Sequence, residues 1–322
     1  MNLSLQIKPF AFSLKRPLQT AQGILANKEG WLLKVTNSSG KCGWGEVSPI
    51  DSQEIKQCKT ILDSISKCAD RDVLEESITK GPGALGFGLG SALADLDEAM
   101  RSGPAQCWLP PPQSAILLRS GKSFLKDLES YLEHSYKRKE VLTFKLKVAI
   151  KPNDIERTMI SKVLERLPMN YRLRLDANSG WDRCQALEWA NYFLNDVRLE
   201  WIEQPLHTDD IKGLMDLAKI IPIALDESLI KYPALRKNWK SWQIRHPTLE
   251  GDPRVLLKSL QDGKTNIAIS TAFETGIGRR WVNHLAAIQQ TTQTPTAPGL
   301  APGWLPSSNL FSHNPKIVWD TV

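Results

Sequence analysis

Cysteine, histidine, long apolar runs and a surplus of one charge are all scarce in this chain of 322 residues. Its five cysteines, at 42, 58, 68, 107 and 184, form no C-x-x-C pair and have no histidine at zinc spacing, which removes the common structural zinc sites. An odd, scattered set also argues against a disulfide framework and for a reducing compartment, so a cytoplasmic location is expected. No stretch reaches the 18 apolar residues of a spanning helix, and the first ten residues carry no apolar core of a secretory leader. Neither a membrane nor an export route is therefore expected. Lys and Arg number 41 against 35 Asp and Glu, a net charge of +6. The densest basic run is only Lys137-Arg138-Lys139; nucleic-acid surfaces concentrate their cations, so no nucleic-acid partner is expected. The nucleophile elbow G-x-S-x-G is missing, which removes that class of hydrolase. Gly86-Phe87-Gly88-Leu89-Gly90 has neither G-x-G-x-x-G spacing nor a strand leading into it, so it reads as close packing at a helix start rather than as a phosphate loop.

What is present is globular in character, with 41% hydrophobic and 24% charged residues. Leu3–Ile7, Trp31–Thr36 and Cys42–Val47 read as strands. Lys15–Ala26, polar and holding Pro and Gly, reads as a long loop of the kind that often carries function. Residues 53–80 have helical spacing, and a helix is predicted from Ser91 to about Met100. From about residue 114 the pattern becomes a beat of short apolar runs separated by helical stretches. The runs are 115–118, 144–148, 172–175, 199–202, 223–225, 242–244, 267–269 and a weaker 294–297, with ends 20 to 29 residues apart. That distance is one strand plus its crossover and helix. Eight such units predict an α/β fold with a (β/α)8-type barrel over 101–299. Residues 1–100 are predicted to form an α+β domain, joined by the Pro-rich tail at about 300–322.

Barrel enzymes place their chemistry at the C-terminal ends of the strands. Those ends hold Lys145 and Lys147, then Asp176 and Asn178, then Glu203, then Asp226 and Glu227. Acids at three consecutive strand ends would repel one another and raise each other's pKa. A hard dication removes that penalty, and Mg²⁺ prefers oxygen ligands completed by water or substrate. Lys145 and Lys147 are two apart on one strand and so point to the same side. Like charge close by lowers a lysine pKa toward neutrality, where the amine can act as a base.

The motifs Gly43-Trp44-Gly45-Glu46-Val47-Ser48-Pro49, Phe144-Lys145-Leu146-Lys147-Val148 and Arg174-Leu175-Asp176-Ala177-Asn178 occur in order. They are followed by Trp201-Ile202-Glu203-Gln204-Pro205, Ala224-Leu225-Asp226-Glu227-Ser228, Pro247-Thr248-Leu249-Glu250-Gly251 and Ser270-Thr271-Ala272-Phe273-Glu274-Thr275-Gly276. Together they cover almost the whole chain, which resembles the enolase superfamily and, within it, the muconate-lactonizing branch. The resemblance implies an enolase-like fold whose N-terminal α+β domain caps the barrel mouth, with Lys15–Ala26 and Trp44–Ser48 closing over the substrate. It implies Mg²⁺, with Mn²⁺ an alternative, held by Asp176, Glu203 and Asp226. Lys147 would be the general base and acid, Lys145 its electrostatic partner, and Arg174, Asn178, Ser270 and Thr271 would stand beside the substrate. The superfamily uses a Lys or His base with Mg²⁺ to stabilise an ene-diolate.

One departure matters. Where the family has a second lysine before the Pro of the sixth strand, this chain reads Ile244-Arg245-His246-Pro247. His246 takes the place, or Arg245 after a one-residue slip. An epimerase or racemase needs a base on each face of its substrate; a syn dehydration needs one. The expectation is accordingly a carbon–oxygen lyase acting on a small-molecule dicarboxylate, with His246 a further candidate catalytic group.

Overall fold

The computed structural model describes residues 2–20, 23–65, 68–98, 107–118 and 124–322. The chain divides into two compact units. The first comprises 1–19, 23–113 and 245–322; the second comprises 20–22 and 114–244. The domain boundary expected near residue 100 lies outside the described residues.

In the first unit β1 (Asn2–Thr20), β2 (Gly23–Thr36), β3 (Cys42–Val47) and β4 (Cys68–Asp70) form a sheet in the order β3-β2-β1-β4. Leu3 and Leu5 are buried while Ser4 and Gln6 are exposed, the period-2 signature of a strand with one face on a core. The β2–β3 turn is fastened by Asn37, whose Oδ1 accepts from the backbone N–H of Ser39 and Lys41, both at 3.0 Å. Two expectations are corrected here. Lys15–Ala26 is not a loop: β1 runs on to Thr20 and β2 begins at Gly23, with 21–22 outside the described residues. Leu14 packs with Phe273 and Leu305, and the Lys15 amide donates to the Trp304 carbonyl at 2.9 Å, so both side chain and backbone are satisfied without a loop. Residues 53–80 are not one helical stretch but helices Ser52–Ser64 and Arg71–Lys80, separated by β4.

The glycine-rich segment lies inside a helix, Gly83–Leu96, which starts at Gly83 rather than Ser91 and ends at Leu96, with almost every residue buried. A Cβ added to Gly45 of β3 would sit 1.9 Å from the Gly88 carbonyl oxygen, and one on Gly43 would sit 1.9 Å from that of Ala92. Strand and helix backbones thus touch directly. The contact buries enough to outweigh the poor helix propensity of Gly86, Gly88 and Gly90.

The first unit is closed by the far end of the sequence. The buried Glu46 carboxylate accepts from the Thr275 amide at 3.1 Å, the Thr275 hydroxyl at 2.5 Å and the Gly278 amide at 2.9 Å. Glu274 in turn accepts from the hydroxyls of Thr248 (2.9 Å) and Thr271 (2.6 Å) and from the Ala272 amide (2.6 Å). Burial lowers the Lys28 ammonium to about 8 against the pull of Glu274 and Glu46, and its head donates to the Ser48 carbonyl at 2.6 Å.

The parallel strands are β5 (Ile116–Leu118), β6 (Thr143–Lys147), β7 (Arg172–Asp176), β8 (Leu199–Glu203), β9 (Ile223–Leu225), β10 (Trp242–Arg245) and β11 (Ile267–Ile269). Their order is strictly sequential, β11 through β5. Sequential parallel strands joined by helical crossovers are the winding of a barrel sheet. Seven of the eight expected strands form. At 294–297 no strand forms, because groups there are spent locally: Thr294 Oγ1 accepts from the Asn266 amide at 2.7 Å, and its carbonyl accepts from Gln289 Nε2 at 2.7 Å. A single parallel bridge, Ser270 with Gly299, follows instead.

Candidate active site

Phe144, Leu146, Leu173 and Leu175 are buried in the apolar core of the second unit. Alternation therefore turns Lys145, Lys147, Arg174 and Asp176 to the opposite side of the sheet. The register sets Lys145 opposite Arg174, Lys147 opposite Asp176, and Asp176 opposite Glu203. Side chains from three consecutive strands thus meet in two rows.

Lys145, set beside Arg174 in the lower row, reaches up so that its Nζ lies 2.6 Å from Glu203 Oε1 and 2.9 Å from Asp176 Oδ2. Lys147 Nζ lies 3.5 Å from Asp176 Oδ2 and donates to Asn178 Oδ1 at 2.5 Å. The acids are nearly sealed, Asp176 2% and Glu203 1% exposed, whereas the lysine side chains retain 24% and 21%. Asn178 and Ser179 follow β7 with φ of +44° and +65°, a left-handed turn that asparagine tolerates better than most residues. The Asn178 amide N–H donates to Asp176 Oδ1 at 3.2 Å, and its side-chain Nδ2 donates to Glu227 Oε1 at 3.0 Å.

Burial drives the acids up, and the neighbours decide the outcome. Burial raises Asp176, but Lys145 and Lys147 outweigh it and hold the carboxyl below its usual range. Burial, reinforced by Asp176 and Asp226 and only partly offset by Lys145, pushes Glu203 up to about 7. Burial together with Asp226 and Asp176 pushes Glu227 up to about 8. For Lys145 burial works downward, yet Asp176 and Glu203 more than reverse it and hold the amine above the ordinary lysine range. The sequence expectation for this lysine, lowering by like charge, is therefore corrected. Two carboxylates at hydrogen-bond distance outweigh a second ammonium.

Among the described residues no three His, Cys, Asp or Glu side chains stand close enough to enclose an ion unaided. An ammonium, that of Lys145, stands between two of the three acids. A site that already seats one cation between hard oxygen donors, with Asp226 near enough to act on Glu203, has the donor chemistry for Mg²⁺.

The remaining candidates fall elsewhere. Arg174 is in the lower row, buried, with Nε donating to Glu200 Oε2 at 2.7 Å and its guanidinium 4.0 Å above the Trp201 ring. His246, Ser270 and Thr271 belong to the first unit. His246 Nδ1 lies 3.2 Å from the Thr271 carbonyl, and its amide donates to Glu250 Oε1 at 2.8 Å. The Thr271 hydroxyl donates to Glu274 and accepts from the Phe273 amide at 2.9 Å, while that of Ser270 reaches the Gly299 carbonyl only at 3.4 Å. On β10, Trp242 meets Trp201 at 4.7 Å, and Gln243 donates the other way to the Arg236 and Trp239 carbonyls. Arg245 Nε binds Glu250 Oε2 at 2.6 Å.

Two residues escaped the sequence reading. Glu227 was visible as half of an acid doublet after β9 but was given no task. Glu200 was invisible, because a register shift places Arg174 opposite Trp201 while Leu173 faces Leu199. The extra residue turns its carboxylate to Arg174.

The enolase C-terminal domain-like family model matches residues 127–240. Among curated relatives, an o-succinylbenzoate synthase from Thermosynechococcus vestitus is 29% identical over 291 residues, 84% of this chain and 85% of its own. The L-Ala-D/L-Glu epimerase of Bacillus subtilis is 28% identical over 70% of this chain and 67% of its own. The crystal structure of the o-succinylbenzoate synthase from Thermosynechococcus elongatus, complexed with Mg in its active site, superposes with a TM-score of 0.79 at 25% identity, covering 99% of this chain and 100% of that one. No helix among the described residues is long and apolar enough to cross a membrane.

Proposed function

We propose that the chain is an o-succinylbenzoate synthase of the enolase superfamily, a reading supported by the family model, the curated relatives and the structural likeness. It would remove water from 2-succinyl-6-hydroxy-2,4-cyclohexadiene-1-carboxylate to give 2-succinylbenzoate, in menaquinone or phylloquinone biosynthesis. The observation that carries the reading is the Lys145–Lys147 pair set against Asp176 and Glu203 on the rim of the parallel sheet, with His246 rather than a second lysine past β10.

A proton α to a carboxylate is a weak acid, and each tenfold of rate requires about 1.4 kcal/mol of transition-state stabilisation. A dication held by Asp176, Glu203 and Asp226 supplies, when bound, neutralisation of the charge that develops on the substrate carboxylate. The protein's own groups do the rest. Lys147, as the free amine, takes the ring proton α to the carboxylate. The ring hydroxyl departs with the C–O electron pair, and the Lys147 ammonium returns its proton to it, so that water leaves from the same face and the ring becomes aromatic. Lys145 keeps a fixed positive charge beside the acids, and Asn178 holds Lys147. Arg174 acts from beneath, braced by Glu200 and Trp201. Of the remaining substrate contacts we assign the Ser270 hydroxyl ahead of that of Thr271, which is fully engaged by Glu274 and Phe273.

The test is Mg²⁺-dependent loss of the cyclohexadiene absorbance in wild type and Lys147→Ala. Turnover that falls at least about 1,000-fold in the variant is expected for removal of a general base. Turnover that survives in Lys147→Ala moves the base elsewhere, with His246 first in line. A wild type that binds Mg²⁺ without turnover overturns the synthase assignment. Epimerisation is the second reading, supported by the likeness to the L-Ala-D/L-Glu epimerase; deuterium entering both epimers of a dipeptide from D₂O would establish it.

A further inference from the structure

We propose that Glu227 is a positioning residue for Lys147, acting through the side-chain amide of Asn178. The inference rests on the synthase reading for the task of Lys147, but on geometry for the connection. The Lys147 ammonium has only N–H donors to offer, so at 2.5 Å it faces the amide's oxygen. Asn178 then directs Nδ2 the other way, and the group that receives it, at 3.0 Å, is Glu227 Oε1. The Asn178 backbone cannot swing aside, because its left-handed φ and its N–H bond to Asp176 fix it. Only the amide plane is free to turn over. Turned over, Nδ2 would point at Lys147, donor against donor. In the orientation observed, Glu227 Oε1 receives Nδ2 while Oδ1 receives the Lys147 ammonium, so both contacts follow one polarity along Glu227–Asn178–Lys147.

Glu227 is otherwise an expensive residue to keep. Its second oxygen, Oε2, is buried with no hydrogen-bond partner among the described residues, whereas buried carboxyl oxygens are ordinarily satisfied. A group retained at that cost, whose side chain donates nothing to the core, points to a task. Holding one N–H of Lys147 against Asn178 leaves the remaining direction of the nitrogen for the substrate proton. Alignment of that kind is worth large rate factors.

The experiment compares Glu227→Ala, the bulkier acceptor-less Glu227→Met, and Glu227→Gln, which keeps an oxygen for Asn178. In the Mg²⁺-loaded enzyme we expect kcat to fall about 10- to 100-fold in Ala and Met. KM and calorimetric Mg²⁺ affinity should stay within about 3-fold of wild type, and Gln should recover most of kcat. A second readout needs no substrate: acetylation of Lys147 by acetic anhydride, followed by mass spectrometry of its peptide with the exposed Lys59 as the internal reference. Lys147 should label several-fold faster in Ala and Met, where the amine is released, and at the wild-type rate in Gln. Unchanged kcat and labelling in Ala or Met overturn the proposal. So does an equal loss in all three variants accompanied by weaker Mg²⁺ binding, which would make Glu227 a support of the metal site. If the wild type fails to turn over the cyclohexadiene, the synthase reading falls. The labelling then decides alone: faster in Ala and Met but not Gln upholds the relay, and unchanged in all three rejects it. Should Ala not fold, Met carries the comparison.

Discussion

Lys145 has two employments, and its pairing distances rank them. Its ammonium neutralises Asp176 and Glu203 at 2.9 and 2.6 Å, so without added divalent ions it is the cation that holds the acid cluster together. Lys145→Met should lower the melting temperature measured in EDTA and enlarge the rise produced by Mg²⁺; equal shifts in both proteins would show that the lysine does not share the ion's place. Glu203 adds a pH dependence whose sign can be worked out. Unfolded, its carboxyl releases the proton near the ordinary 4.5; folded, it keeps it to about 7. Across that interval the folded state binds more protons, so this residue makes stability fall as pH rises. Mg²⁺ binding must displace the same proton. The stabilisation by Mg²⁺ should therefore grow between pH 5 and pH 8, and titrations in buffers of different ionisation enthalpy should show proton release at the lower pH only. The acids and lysines were legible in the sequence because strand ends recur at regular distances. The direction in which Lys145 shifts was not, since it depends on which side chain stands opposite, and the sequence does not print register. Glu200 was lost for the same reason.

At the scale of elements, short apolar runs located seven parallel strands and the cores of β1, β2 and β3, because burial on both faces or on alternate residues leaves a pattern. The helix Gly83–Leu96 left the wrong one. Three glycines look like a break until β3, with glycines of its own, is laid against them. Lys15–Ala26 misled in the same way, since the partners that make it strand include Trp304 and Leu305, far along the chain. The glycine contact makes a sharp prediction. Gly45→Ala drives a methyl into the Gly88 carbonyl at 1.9 Å and should cost about 3 kcal/mol or more in urea unfolding, at the upper end of overpacking effects. Gly303→Ala, where an added Cβ meets nothing within 4 Å, should lie within about 0.5 kcal/mol of wild type. Equal effects would mean that β3 and the helix do not touch through backbone.

For the whole molecule, the sequence suggested an N-terminal domain rejoined by a tail, and the compact units divide the chain at residues 113 and 245. What could not be foreseen is how much of the C-terminal third packs with the first. One tie among these is Glu46, a buried acid bound by Thr275 and Gly278. Glu46→Ala would leave those backbone donors buried without an acceptor, at about 1–3 kcal/mol each. Its unfolding midpoint in urea should fall accordingly, while Glu46→Gln, which retains one acceptor, should fall less. A variant as stable as wild type would remove Glu46 from this role.

The same carboxylate sets a clock on biosynthesis. Glu46 leaves the ribosome 229 residues before Thr275, which at about 5–20 residues per second is a wait of roughly ten to fifty seconds. Residues 114–244 are made within that wait, while the β-sheet that emerged before them still lacks its last helices. A nascent chain of this protein holds an unpaired acid and an uncovered sheet face for most of its synthesis.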